Sequence, residues 1–158
     1  MRFRLLSNEE LTHLEEEFKQ FLIINHIHAD EWKMLNANEP QKAIALVELF
    51  SDTVLLKVYG KIEYLEFRSK HLFSVYRVLP EKIQAIHLKS ESETVSLAHD
   101  DEISNAVNET PLNLSIYRAE KMVQPFKEDE VHRLIEQGCM KSTELVWEQF
   151  SNLIKSSA

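Results

Sequence analysis

The stretch Val54-Leu55-Leu56-Lys57-Val58-Tyr59-Gly60-Lys61-Ile62-Glu63-Tyr64-Leu65-Glu66-Phe67-Arg68 contains the point where the hydrophobic period of the chain changes. Up to Tyr59 the apolar residues recur at helical spacing. From Lys61 they fall into short runs rich in aromatic and β-branched residues. Gly60 stands at the boundary, where a left-handed residue beyond a helix end is expected. Helices before this point and strands after it place the chain in the α+β class.

Upstream of the boundary, Pro40 after Asn38-Glu39 is placed as a first-turn proline, so one helix is expected from Pro40 to Tyr59. Ala43, Leu46, Val47, Phe50, Val54 and Val58 form its main stripe, with Ile44 and Leu55 on one flank and Leu49 and Leu56 on the other. Only a narrow strip around Glu48, Asp52 and Tyr59 is left for solvent. A helix apolar over most of its circumference is packed on several sides, which predicts a place at the centre of the core or at a subunit interface. Nearer the start, Ser7 and Glu10 make a capping box. Leu11, Leu14, Phe18, Phe21 and Leu22 then share one helical face as far as Asn25, with Glu15, Glu16 and Glu17 as a solvated run. A shorter helical piece carries Trp32, Met34 and Leu35.

Downstream, strands are expected at 64–68, 72–79 and 83–89, with Pro80-Glu81-Lys82 as a tight hairpin. Residues 90–111 are polar and acidic and read as a loop with one ordered stretch, leaving room for a further strand near Thr94–Ala98. Leu112, Leu114 and Ile116 alternate with polar residues, which makes 112–123 a fourth strand. Two helices close the chain: one over 127–137, ended by Gly138, and one after Ser142 carrying Val146, Trp147, Phe150, Leu153 and Ile154 on one face. No repeat or linker interrupts residues 1–158. The expected architecture is a single α+β domain: N-terminal helices, a central antiparallel sheet of about four strands, and two C-terminal helices.

Composition narrows the function classes. The 158 residues include only two glycines, against about eleven at an average usage of roughly 7%. Glycine is the residue that brings backbone close to phosphates and oxyanions, and both glycines here are accounted for at helix ends. No phosphate loop, dinucleotide-binding turn or nucleophile elbow is left, so no cofactor is expected. No apolar run approaches the ~20 residues of a membrane span, and the start of the chain has no signal-peptide core. With one cysteine, Cys139, a reducing cytoplasm is the expected location. The net charge of −8 opposes general nucleic-acid or anionic-membrane affinity. The charge is uneven, however, and residues 41–89 hold 8 Lys and Arg against 5 Asp and Glu.

Each constellation with chemical potential has a plainer account. Glu10…His13 and Asp129…His132 have the spacing of di-iron carboxylate ligands but lie off the apolar faces of their helices, as solvated polar groups do. His26-Ile27-His28 with Asp30, and His99-Asp100-Asp101-Glu102, lack the full donor sets of zinc and calcium sites. Cys139 sits at a helix C-terminus, where the dipole disfavours a thiolate, and reads as a small packed hydrophobe. No catalytic residue and no metal ligand is assigned. In the strand region, Tyr64, Arg68, Tyr76 and Arg77 interleave aromatics with cations, as base-stacking sheet surfaces do. Strand alternation puts Tyr64 and Arg68 on one face, while Tyr76 and Arg77 must point opposite ways.

Phe50-Ser51-Asp52, Lys61-Ile62-Glu63-Tyr64-Leu65-Glu66 and Leu134-Ile135-Glu136-Gln137-Gly138-Cys139 give the chain a resemblance to an uncharacterised family of small soluble proteins of unknown function. That resemblance implies an origin in Bacteroidetes-type bacteria and a cytoplasmic location, and it implies no activity or cofactor. The leading expectation is a non-enzymatic interaction protein that self-associates as a homodimer or meets another protein. Anion or single-stranded nucleic-acid binding on the 61–89 sheet is the first alternative. An enzyme with a pocket unannounced in the sequence is the second.

Overall fold

The computed structural model describes residues 1–157. Among the described residues seven α-helices and five strands follow in the order α1 (Asn8–His13), α2 (Glu15–Ile24), α3 (Ala29–Asn38), α4 (Pro40–Gly60), β1 (Tyr64–Arg68), β2 (Leu72–Val78), β3 (Lys82–Ser90), α5 (Asp100–Glu109), β4 (Leu114–Met122), α6 (Lys127–Glu136), β5 (Met140–Lys141) and α7 (Glu144–Ser157). The class is α+β, with N-terminal helices, an antiparallel sheet and C-terminal helices. The chain divides into two compact units, Met1–Val58 and Tyr59 onward. Among the described residues no helix is long and apolar enough to cross a membrane.

The first unit is built on aromatic packing. The capping box forms as expected: the Ser7 hydroxyl accepts the Glu10 N–H, and the Glu10 carboxylate accepts the Ser7 N–H. The expected single helix over 7–25 is broken at Leu14, whose ψ of 21° leaves the helical range without a glycine or proline to announce it. Phe18 meets Phe50 at 4.9 Å and Trp32 at 5.2 Å between ring centroids, and Phe21 meets Phe50 at 5.3 Å. Such pairs add about 0.5–1.5 kcal/mol each beyond the area they bury. His26, at φ 62°, turns the chain after α2 in the left-handed position that glycine usually fills.

The solvent face of α4 differs from the expectation. Asp52 is half-buried because its carboxylate accepts the backbone N–H groups of Arg2 (2.6 Å) and Phe3 (2.8 Å), and the neighbouring Ser51 hydroxyl accepts that of Leu6 (3.1 Å). The N-terminal segment thus covers the strip read as exposed, satisfying its own orphan donors there. Tyr59 is also buried, its phenol 3.1 Å from Nδ1 of His132. Exposure falls instead on Leu49 and Leu56, together with Ile44 and Val58. Helix α4 is therefore open to solvent over part of its circumference, while Ala43, Phe50, Leu55 and Tyr59 are buried. Gly60 is the last residue of the helix and does not take the left-handed conformation expected of it; Gly138 does, at φ 108°.

The second unit is a five-stranded antiparallel sheet in the order β4-β3-β2-β1-β5. The fifth strand, one more than expected, is a two-residue edge in which Met140 and Lys141 pair with Glu66 and Leu65. Residues 94–98 form no strand; α5 occupies the following stretch instead. Its apolar positions Ile103, Ala106 and Val107 join the core while its first turn is acidic. One face of the sheet carries Phe73, Val75, Ile86 and Leu88, which pack against Trp147 and Phe150 of α7 and against Leu97 and Ala106. Each fully buried aliphatic side chain there contributes about 1.5–3 kcal/mol. The opposite face carries α6 and the groups described next.

Candidate functional site

Strand register decides which side chains share the α6 face. Ser74 pairs with His87 and His87 with Tyr117; Tyr76 pairs with Ala85 and Ala85 with Ala119; Ile83 pairs with Lys121. Cross-strand partners point the same way, so these three rows form a ladder on one side of β2, β3 and β4. Alanines in the middle row leave the sheet low there. Helix α6 lies above with Glu130, Arg133 and Leu134, and a cleft of about 270 Å3 remains between them.

One end of the cleft is aromatic and polar. The Ser74 hydroxyl, fully buried, lies 2.6 Å from Nδ1 of His87. Tyr76 meets the imidazole edge-on at 5.9 Å, and Tyr117 lies 5.0 Å from it on the other strand. Burial pushes the His87 imidazole below its ordinary value, so the ring is neutral at pH 7. Burial likewise pushes the Tyr76 phenol up, with Cys139 adding to the effect. Both groups are therefore uncharged hydrogen-bonding partners at neutral pH.

The other end is ionic. Glu130 is 4% exposed, in the first turn of α6 where the helix dipole favours a carboxylate. Lys121 Nζ donates to its Oε2 at 3.1 Å. The Arg133 guanidinium stands 3.2 Å from Oε1, without the alignment of a hydrogen bond. Arg133 also donates to the backbone carbonyls of Asp129 and Gln124, which fixes the guanidinium. Neighbouring Glu120 is neutralised separately by Lys82 at 2.8 Å.

The residues singled out from sequence do not meet in this cleft as a group. Tyr64 and Arg77 are cross-strand partners on the α7 face, and Arg68 shares that face. Tyr64 lies 6.5 Å from Trp147. Arg68 stacks over Phe73 at 4.3 Å, pairs with Asp100 at 2.7 Å and reaches Glu66 at 3.5 Å. Of the four, Tyr76 alone lines the cleft. His87, Lys121, Glu130 and Arg133 carried no motif, and Ala85 with Ala119 becomes meaningful only through strand register.

The remaining constellations are placed as follows. Glu10 is held by Arg4 at 2.9 Å, and His132 by Tyr59. Among the described residues no group of three or more His, Cys, Asp or Glu is placed to hold a metal ion. Cys139 is buried, as its packed reading expects, and burial raises its thiol to about 11.

No curated protein and no solved structure matches the chain. Residues 1–155 match the model of the Family of unknown function (DUF6495), and the chain belongs to that family.

Proposed function

We propose that the second unit binds a small molecule in the cleft between α6 and the β2-β3-β4 face. The observation that carries this reading is the convergence of neutral His87 and Tyr76, at one end of a low alanine floor, with the Lys121–Glu130–Arg133 cluster at the other. Concave, largely apolar sites with a few convergent polar groups and shifted titrations are the usual form of ligand sites. At about 270 Å3 the space lies below the roughly 300–1,000 Å3 typical of drug-sized ligands, which favours an occupant smaller than a nucleotide. Ala119 is exposed, so Ala119→Leu fills the cleft without disturbing buried packing. Thermal-shift screening of a small-metabolite panel tests the reading. Compounds that stabilise the wild type and not Ala119→Leu are expected; a panel that never separates the two proteins rejects it.

A second reading concerns α4. Ala45, Leu49 and Leu56 lie exposed on one side of that helix, an apolar stripe that a second copy of the chain would cover. Sedimentation at several concentrations is expected to give a dimer that Leu49→Lys, Leu56→Lys dissociates. A wild-type monomer at every concentration rejects self-association.

A further inference from the structure

The chemistry of the cleft's occupant follows from charge and register, and the inference rests on the cleft being a binding site. At the ionic end, two cations converge on one carboxylate. That carboxylate is withdrawn, with 5% of the Glu130 side chain exposed, whereas 64% of Lys121 and 49% of Arg133 remain open. A ligand therefore meets a surplus of one positive charge. Glu120 does not cancel it, because its own partner is Lys82. Arg133 donates through Nε and Nη2 to backbone carbonyls, which holds the guanidinium in place while Nη1 keeps N–H groups to offer a ligand. Two open cations gathered on one withdrawn carboxylate suit a ligand carboxylate, whose two oxygens can each accept a hydrogen bond.

Geometry sets the rest of the molecule. The Lys121 row and the His87 row are four residues apart along β3, a span of about 13 Å at the usual strand rise. Between them the Ala85–Ala119 pair gives a low floor, with Ile83 and Leu134 as apolar walls. A flat ring fits over that pair. At the far end His87 has Nδ1 committed to Ser74, and its Nε2 has no partner among the described residues. A six-membered ring with a carboxylate at one end and a hydroxyl opposite spans this distance with a hydrogen bond at each end.

We propose that the cleft takes a small hydroxylated aromatic monocarboxylate, its carboxylate on Lys121 and Arg133, its ring over Ala85 and Ala119, and its hydroxyl toward His87 and Tyr76. Nothing in this assignment requires the ligand to react.

The test is calorimetric titration of the whole chain with 4-hydroxybenzoate, its neutral isostere 4-hydroxybenzamide and its charge-reversed counterpart 4-hydroxybenzamidine. The carboxylate is expected to bind at least about tenfold more tightly than either counterpart, and more weakly as salt is raised. Arg133→Gln and, as an independent variant, Lys121→Gln are each expected to weaken it about tenfold, and Ala119→Leu to abolish it. Equal or tighter binding of the amide or amidine, lost in Ala119→Leu, overturns the acid assignment and leaves the cleft as a binding site. Carboxylate binding indifferent to Ala119→Leu, or no binding of any of the three, also overturns it. In the last case, a metabolite from the thermal-shift panel that loses its effect in Ala119→Leu would still uphold the cleft.

Discussion

Across β2 and β3, the Ser74 hydroxyl and the His87 imidazole meet at 2.6 Å, with the serine fully buried and the histidine held against two tyrosine rings. Because burial lowers the folded-state value of His87 below 6.5, the unfolded chain takes up this proton first as pH falls. The associated stability is present above pH 6.5 and is lost as pH drops through the folded-state value. Urea unfolding between pH 5 and 7 is expected to show stability rising with pH. The slope should flatten in His87→Phe. An identical slope in the variant would remove His87 from the account.

The pairs that Lys121 and Arg133 make with Glu130 share a buried carboxylate, which the exposed Lys82–Glu120 pair lacks. Removing the lysine leaves an under-compensated buried charge, and Lys121→Met is expected to cost about 1–3 kcal/mol. Adding Glu130→Leu should recover most of that loss, since an apolar group then replaces the stranded carboxylate. Lys82→Met, at the exposed pair with Glu120, is the control and is expected to cost under about 1 kcal/mol. Chemical denaturation of the four proteins decides the point; equal losses for the two lysines would place Glu130 in solvent.

The fold was legible wherever a local period or a cap fixed it. Tyr64–Arg68 is a strand at the bounds that its alternation implies, and Ser7 with Glu10 caps α1 because the box needs only four residues. The face of α4 was not legible, because Asp52 is half-buried and Tyr59 buried by partners 49 residues upstream and 73 downstream. Helix α5 was hidden by its acidic first turn, and β5 is too short to carry a period. The cleft was invisible for a related reason. Two alanines make a floor only after register sets Ala85 opposite Ala119, and Glu130 reads as one more exposed acid until Lys121 and Arg133 arrive from the sheet edge and the next helical turn.

Cys139 gives a chemical readout of folding. Its thiol is buried and raised to about 11, so at pH 8 the reactive thiolate is scarce. Disulfide-exchange reagents are expected to modify native protein slowly, and to react at the rate of a free thiol once urea unfolds the chain. The same shift has an alkaline consequence: the contribution of the buried thiol to stability is complete below pH 9 and is lost as pH rises toward 11, because the unfolded chain ionises first. Rapid labelling of native protein at pH 8 would contradict the burial.

The two glycines are expected to answer substitution in opposite ways. Gly138 sits at φ 108°, and a Cβ there would lie 3.3 Å from the Phe67 ring. Gly138→Ala combines a left-handed backbone with a tight contact, and a loss of about 1–3 kcal/mol is expected. Gly60 ends α4 without a positive φ, and its added Cβ would meet only the carboxylate of Glu128 at 3.4 Å, the end of a flexible side chain. Gly60→Ala reduces the freedom of the unfolded chain and should leave stability unchanged or raise it by up to about 1 kcal/mol. Thermal unfolding of the two variants checks the contrast. A Gly60→Ala protein as damaged as Gly138→Ala would mean that the end of α4 is strained in a way its backbone does not indicate.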